Sequence, residues 1–128
     1  VNVDLVFQKV PELHIKINFN PNEEKNLEIG VNINYADDNK HYTAILEQRV
    51  VSKDDPEQFS IYLKIEGYFD CDEITNDQMK KEVHVQSYYR LFPYAQSLVA
   101  QMCVVAGLPP LMIKPIKMSF EDVVITPK

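Results

Sequence analysis

The length, composition and charge of the chain are those of an ordinary globular protein. Its 128 residues are 45% hydrophobic and 25% charged, which is typical of one folded domain, so we expect a single domain over residues 1–128. The formal net charge of −6 argues against a nucleic-acid partner, because phosphates attract basic surfaces. No apolar run approaches the roughly 20 residues of a membrane span, and no signal peptide is visible, so we predict no membrane insertion.

The cysteines and histidines lack the spacing of a metal or redox site. Cys71 and Cys103 are far apart and outside any CxxC motif, which favours two reduced thiols in a cytoplasmic protein over a disulfide between them. His14, His41 and His84 are each isolated, which favours structural, solvated roles. Because a nucleophile-elbow motif is also missing, we predict no catalytic residue, no metal and no cofactor. The chain is not expected to be an enzyme.

Four segments alternate apolar and polar residues with period two, which is the pattern of half-buried strands. The first covers residues 1–19 and should bend at Pro11, because proline removes a hydrogen bond from the ladder. The others are predicted at residues 27–35, 42–52 and 59–66. Their short connections favour antiparallel neighbours.

The second half of the chain has helical periodicity. We predict strands over about residues 1–67, a helical part over about 76–106 and a proline-punctuated tail over 107–128. The segment 68–73, which contains three acidic residues, is interpreted as an acidic connector between the sheet and the helix. The fold class is therefore α+β, a four-stranded antiparallel sheet followed by a long helix.

The ends of the helical part are marked by residues with known capping roles. Asn76 or Asp77 is a candidate N-cap, and Gly107 is a candidate stop. Between them, the segment forms either one bent helix or two helices joined near residues 90–93, because Pro93 is tolerated in a first turn.

One helical face carries a wide apolar stripe. Tyr94, Leu98 and Met102 recur at steps of four residues, so they lie on the same face. The stripe is broader than one helix needs to cover one sheet, and such a surplus usually meets a ligand or another chain. The alternative is that these residues only fill the core, as aromatic and aliphatic side chains generally do.

The same region carries a family resemblance. Residues 91–95 read Leu-Phe-Pro-Tyr-Ala, and about a dozen helical residues later residues 107–111 read Gly-Leu-Pro-Pro-Leu. With a later Pro-Ile at residues 115–116, this pattern resembles the C-terminal signature of SecB, the bacterial export chaperone family. The resemblance implies a four-stranded sheet with a long helix, assembled as a dimer or a dimer of dimers with the helices at the subunit interface.

The resemblance also implies a function and its residues. SecB is an ATP-independent holdase that binds unfolded preproteins in hydrophobic grooves and passes them to the SecA motor. By similarity, the client groove would be lined by Phe69, Tyr94, Leu108, Leu111, Ile113 and Phe120. The oligomer interface would be formed by Leu91, Ala95, Leu98, Val99, Met102 and Val105.

Two functional hypotheses remain open. The first is a holdase for unfolded or partly folded proteins, serving export or one dedicated client such as an unstable antitoxin. The second is a SecB-fold oligomer with a structural or interaction role and no export function. Lys16, Asn20 and Tyr62 stand where the family presents acidic residues to SecA, which argues against SecA as a partner.

Overall fold

The computed structural model describes residues 1–17, 25–53, 59–108 and 117–118. Within these ranges, four strands precede one helix, and the predicted α+β fold is confirmed. The elements are β1 (Val3–Ile17), β2 (Lys25–Tyr35), β3 (His41–Ser52), β4 (Phe59–Cys71) and α1 (Asp77–Val105). In the described part of the chain, no helix combines the length and apolarity that crossing a membrane requires.

The four strands form one antiparallel sheet in the order β1-β4-β3-β2. The pairing of β2 with β3 is unbroken from Lys25↔Ser52 to Tyr35↔Tyr42. The hairpin between them turns at Asn39, whose φ of 56° lies in the left-handed region that asparagine tolerates. The antiparallel pairing expected from the short connection between these strands is therefore confirmed.

Strand β1 is irregular in two places. Its register against β4 shifts between Leu5 and Phe7 and again between Lys9 and Glu12. Each shift adds one residue to β1, as in a β-bulge, which bends the strand and increases its twist. Pro11 lies inside the second shift, so the predicted bend at this proline is confirmed.

Strand β4 is longer than the sequence indicated. The prediction that residues 68–73 form an acidic connector is wrong, because β4 continues to Cys71. Tyr68 and Phe69 pair with β3 on one side and with β1 on the other. Since both edges of this segment are hydrogen-bonded, pairing outweighs the turn-like composition of the residues that follow.

The core lies between the sheet and α1, on what we call the inner face of the sheet. Gly67 of β4 shows how closely the two layers approach. A Cβ atom at this position would lie 2.8 Å from Leu91 Cδ2 and 2.8 Å from Phe69 Cε2. Both of those side chains are buried, so the absence of a side chain at Gly67 allows the helix to pack where it does.

The helical part is one helix, which resolves the choice between one helix and two. Pro93 lies inside α1. Asn76 is the N-cap, and its Oδ1 accepts a hydrogen bond from the Met79 backbone N–H at 2.9 Å. This bond satisfies one of the free N–H groups of the first turn, as expected from asparagine at this position.

The C-terminus of α1 closes with a Schellman motif. Gly107 has a φ of 84°, and its N–H donates to the Val104 carbonyl at 3.0 Å. The Leu108 N–H donates to the Cys103 carbonyl at 2.9 Å. Glycine adopts this left-handed conformation without a Cβ clash, so the predicted stop at Gly107 is confirmed.

A buried hydrogen-bond chain joins the helix to β3. Ser87 Oγ donates to the Val83 carbonyl at 2.6 Å. The Tyr42 hydroxyl lies 2.7 Å from Ser87 Oγ and donates to it, because the Ser87 proton is already used. All three residues are buried, so these polar groups are satisfied inside the core.

Candidate functional site: partly covered apolar surfaces

Three of the residues predicted for the oligomer interface lie inside the chain's own core. Leu91, Ala95 and Val99 are each 0% exposed on the helical face that packs against the sheet. They cannot contact a second copy while the chain holds this fold, so their assignment to an interface is corrected. Two helical stripes are apolar here, and periodicity alone did not tell which one faces the sheet.

The other predicted interface residues lie beside this buried stripe. Leu98 and Met102 are partly buried, and Val105 is 79% exposed. Val104, which is not in the predicted interface set, is 56% exposed. The second half of α1 therefore presents apolar side chains away from the sheet.

The predicted groove residues also divide into buried and accessible side chains. Phe69 is 2% exposed, and its ring stacks on Tyr42 with centroids 4.8 Å apart, so it belongs to the core rather than to an open groove. Tyr94 is 47% exposed, and Leu108 is partly buried against the core. The remaining groove residues of the prediction, Leu111, Ile113 and Phe120, lie outside the described residues.

The structure reveals a surface that the sequence analysis missed, along the inner face of β2. Every second residue of this strand is only partly buried while it packs against the edge of the core. The corresponding side chains of β3 are fully buried, as at Ala44 and Leu46. Because α1 covers β3 and β4 more completely than β2, an apolar row remains accessible. We call it the β2 row: Leu27, Ile29, Val31, Ile33 and Tyr35.

On the opposite side of α1, a cleft separates the helix from β1. Its volume is about 310 Å³, and its lining includes Val10, Ile65, Tyr94 and Leu98. Val10 is 43% exposed and Tyr94 is 47% exposed. The Oε1 atom of Gln8, which also lines this cleft, is buried without a hydrogen-bond partner. The helix is thus flanked by incompletely covered apolar surface on both sides.

The outer face of the sheet is more polar and carries a stacked aromatic pair. Phe7 stacks on Tyr68 with ring centroids 4.6 Å apart and an interplanar angle of 2°. Lys9 Nζ lies 5.7 Å from the centre of the Tyr68 ring and 3.3 Å from a Glu66 carboxylate oxygen. Because these charged side chains lie beside the aromatic pair, this face is less suited to an apolar ligand than the β2 row.

The charged groups near the β2–β3 hairpin are held by local contacts. His41 Nδ1 lies 2.6 Å from Asp38 and its Nε2 lies 3.3 Å from Asp70. The Lys40 backbone N–H and the His41 side chain hold the pKa of Asp38 below its usual value. Burial raises the pKa of Tyr35 to about 12, so the phenol at the end of the β2 row stays neutral at physiological pH.

These features suit binding by surface burial. In the described part of the chain, no group of three His, Cys, Asp or Glu side chains could hold a metal ion. The accessible apolar side chains instead lie in an extended row and in a cleft. Such surfaces can take up apolar segments of a polypeptide, because burial of apolar area is favourable and non-directional.

Comparison of the sequence with known proteins identifies relatives. The sequence profile of the family described as "Preprotein translocase subunit SecB" matches residues 3–123. The protein-export protein SecB of Rickettsia typhi is 30% identical over 91 residues, which cover 70% of this chain and 60% of that protein. SecB of Neorickettsia sennetsu is 35% identical over 74 residues, covering 55% of this chain and 45% of that protein. The chain therefore spans about half the length of these two SecB proteins.

A third relative is archaeal. The uncharacterized protein MJ0357 of Methanocaldococcus jannaschii is 27% identical over 120 residues, covering 92% of this chain and 74% of that protein.

Solved structures show the same fold. The Mycobacterium tuberculosis Rv1957 SecB-like chaperone, solved in complex with a ChAD peptide from the Rv1956 HigA1 antitoxin, superposes with a TM-score of 0.72 at 14% identity, covering 90% of this chain and 88% of that chain. A protein of unknown function from Streptococcus agalactiae gives a TM-score of 0.56 at 14% identity, covering 88% of this chain and 97% of that one. Together with the profile match over residues 3–123, these likenesses lead to one conclusion: the chain belongs to the SecB family.

Proposed function

We propose that this protein is a holdase-type chaperone that binds unfolded or partly folded polypeptides in the cytoplasm without ATP. The observation that carries the proposal is the β2 row, an apolar stripe that the chain's own helix leaves partly open. Leu108, beside the end of α1, packs against the core and is only partly buried. In this proposal Leu111, Ile113 and Phe120 complete the groove.

The magnitude of apolar burial sets the size of the client segment. Each client side chain of the size of leucine contributes about 1.5–3 kcal/mol when it is fully buried. A micromolar affinity requires about 8 kcal/mol, and ordering of the client opposes part of the gain. Several neighbouring client residues must therefore bind together, and the strand-length β2 row can accommodate them. Because burial supplies the free energy, no nucleotide is needed.

The client is either a set of export substrates or one dedicated protein. The M. tuberculosis relative has been solved with a peptide from an antitoxin, which supports an unstable antitoxin as a client class here.

SecA is not part of the proposal. On the outer face, Lys16 pairs with Ser60, and Tyr62 lies against Arg49, 5.5 Å from the ring centre. Asn20, the third residue at a position where the family presents acidic residues to SecA, lies outside the described residues.

Suppression of aggregation tests the proposal. A chemically unfolded client is diluted into buffer with the intact protein and without nucleotide, and light scattering is followed. We expect suppression by the wild type and its loss in Val31→Glu, since a charge in the β2 row resists burial. Asn32→Glu is the matched control, because its side chain points to the outer face. If the wild type leaves the client to aggregate, the holdase function is refuted.

A second candidate is a SecB-fold oligomer with only a structural role. The observation that favours it is the exposed apolar end of α1, where Val105 is 79% exposed. In either case we propose that Leu98, Met102 and Val105 contact another copy in a dimer or a dimer of dimers. Leu98→Glu or Met102→Glu should lower the mass measured by light scattering, because a buried unpaired charge is costly.

The matched control for this second test is Gln78→Glu, which adds the same charge at the other end of the helix, where the residue is exposed. Equal masses for wild type and both interface variants would contradict this placement of the interface. A stable wild-type oligomer that fails to suppress aggregation would favour the structural role.

A further inference from the structure

A buried glutamine lies in the core without a polar partner. Gln48 of β3 is on the inner face of the sheet between Leu46 and Val50, and it is 2% exposed. Among the described residues, neither its Oε1 nor its Nε2 has a hydrogen-bond partner. Buried polar groups are nearly always hydrogen-bonded, because an unpaired group loses its bonds to water without replacing them. The closed core is therefore destabilised at Gln48, and access of water to this amide would relieve the destabilisation.

Contacts at the start of the interface show which part of α1 lies above Gln48. Tyr42 contacts Ser87, and two residues further along the inner face Gly67 approaches Leu91, so α1 and β3 run in the same direction. From Tyr42 to Gln48, β3 advances about 20 Å at roughly 3.3 Å per residue. A helix needs about 13 residues for this distance, because it rises about 1.5 Å per residue. Gln48 therefore lies beneath the second half of α1.

Pro93 divides α1 into two halves that are held unequally. Proline has no N–H, so the helical hydrogen bond of residue 93 is absent, and prolines inside helices are usual sites of kinking. The first half buries large side chains such as Tyr88 and Phe92. The buried residues after Pro93 are smaller: Ala95, Val99 and Cys103. Because hydrophobic stabilisation scales with buried apolar area, the second half is held more weakly.

We propose that residues 94–105 form a flap that opens from the sheet while the first half of α1 stays packed. Pro93 is the hinge, and Gln48 is the residue that favours opening, because its amide then reaches water. Such local opening requires less free energy than global unfolding, since most of the core stays intact. The open state exposes Val99 and Cys103 together with the sheet beneath them, an apolar surface that the closed structure conceals. This inference does not depend on the proposed holdase function.

The thiol of Cys103 reports the opening on the intact protein. Cys103 is 1% exposed in the closed flap, so an alkylating reagent such as iodoacetamide reaches it only after opening. Cys71→Ser removes the other thiol of the chain. The comparison protein carries Val83→Cys with Cys71→Ser and Cys103→Ala, because Val83 is 0% exposed in the first half of α1. Rates are measured at one protein concentration and divided by those of the urea-unfolded proteins.

The two thiols distinguish the flap from opening of the whole core. We expect Cys103 to be alkylated at least about tenfold faster than the thiol at position 83, because only the flap opens locally. Equal normalised rates at the two positions would show that α1 opens only together with the core, and would overturn the proposal.

Gln48→Met tests the residue that favours opening. Methionine is unbranched and similar in size to glutamine but lacks the amide, so it fills the same space without an unpaired polar group. We expect alkylation of Cys103 to slow at least about tenfold. Arg49→Met is the matched control: this side chain is exposed on the outer face, so the rate should stay within about threefold. An unchanged rate in Gln48→Met would overturn the proposal, because the amide would then be satisfied in the closed state.

Pro93→Ala tests the hinge in the same assay. Alanine restores the N–H that the helix lacks at this position and favours a continuous helix. We expect alkylation of Cys103 to slow, while the thiol at position 83 remains the slower of the two. A rate equal to or above that of the protein with Pro93 would overturn the assignment of this residue as the hinge.

Discussion

The close approach of sheet and helix at Gly67 gives a quantitative prediction for Gly67→Ala. The added methyl group would lie 2.8 Å from both Leu91 Cδ2 and Phe69 Cε2 and 3.2 Å from Leu5 Cδ1. The first two side chains are 0% and 2% exposed, so they cannot move into solvent. The contact must be relieved by displacement inside a packed core.

Two opposing contributions determine the size of the effect. Overpacking of a well-packed core costs about 1–3 kcal/mol. Replacing glycine by alanine within a strand recovers about 0.5–1 kcal/mol, because the unfolded chain loses conformational freedom. Gly67 does not have a positive φ, so alanine introduces no backbone strain. We expect the free energy of unfolding to fall by about 0.5–2 kcal/mol.

Urea unfolding followed by circular dichroism measures this change, with Gly30→Ala as the matched control. Gly30 also lies within a strand, but a Cβ there meets no atom within 4 Å. The control should therefore raise stability by up to about 1 kcal/mol. If Gly67→Ala were as stable as the wild type or more stable, the packing of α1 against β4 described above would be wrong.

Two further predictions concern one buried and one half-buried side chain of α1. Ser87→Ala should lower the free energy of unfolding by about 1–3 kcal/mol, because it leaves the Tyr42 hydroxyl buried without a partner. Tyr42→Phe should lower it by only about 1 kcal/mol, because Ser87 keeps its bond to Val83. Urea unfolding measures both variants, and a larger loss of stability in Tyr42→Phe than in Ser87→Ala would contradict this chain of bonds. Burial lowers the pKa of His84 below its usual 6.5, so the unfolded state binds a proton more readily and stability falls as pH decreases through 6.5 toward the lowered value. His84→Gln should lose less stability than the wild type between about pH 7 and pH 5 in the same assay, and an identical pH dependence would contradict the assignment.

Much of the fold could be predicted because its determinants are local. Period-two alternation located all four strands, and Pro11 located the bend of β1. Asn76 and Gly107 located the ends of the helix, because capping depends on the chemistry of single residues. Where the determinant was long-range, the prediction failed. Residues 68–71 belong to β4 because strands distant in sequence pair with both of its edges.

The candidate site was less predictable for a related reason. A helix with two neighbouring apolar stripes can place either one on a sheet, and only packing decides between them. The stripe of Leu91, Ala95 and Val99 fills the core, while Leu98 lies at its border. The β2 row was recognised as part of a strand, but its accessibility depends on how far α1 extends across the sheet. That extent is not encoded in the residues of β2 themselves.

The order of the strands has a consequence for synthesis of the chain. Of the four described strands, β1 leaves the ribosome before the others, yet it pairs with β4, which ends at Cys71. At about 5–20 residues per second, β1 waits roughly 3–11 s for its partner. The β2–β3 hairpin can form within about 1–10 μs once both of its strands are exposed. During that interval Pro11, which cannot donate a hydrogen bond to a ladder, hinders pairing of β1 with neighbouring nascent chains.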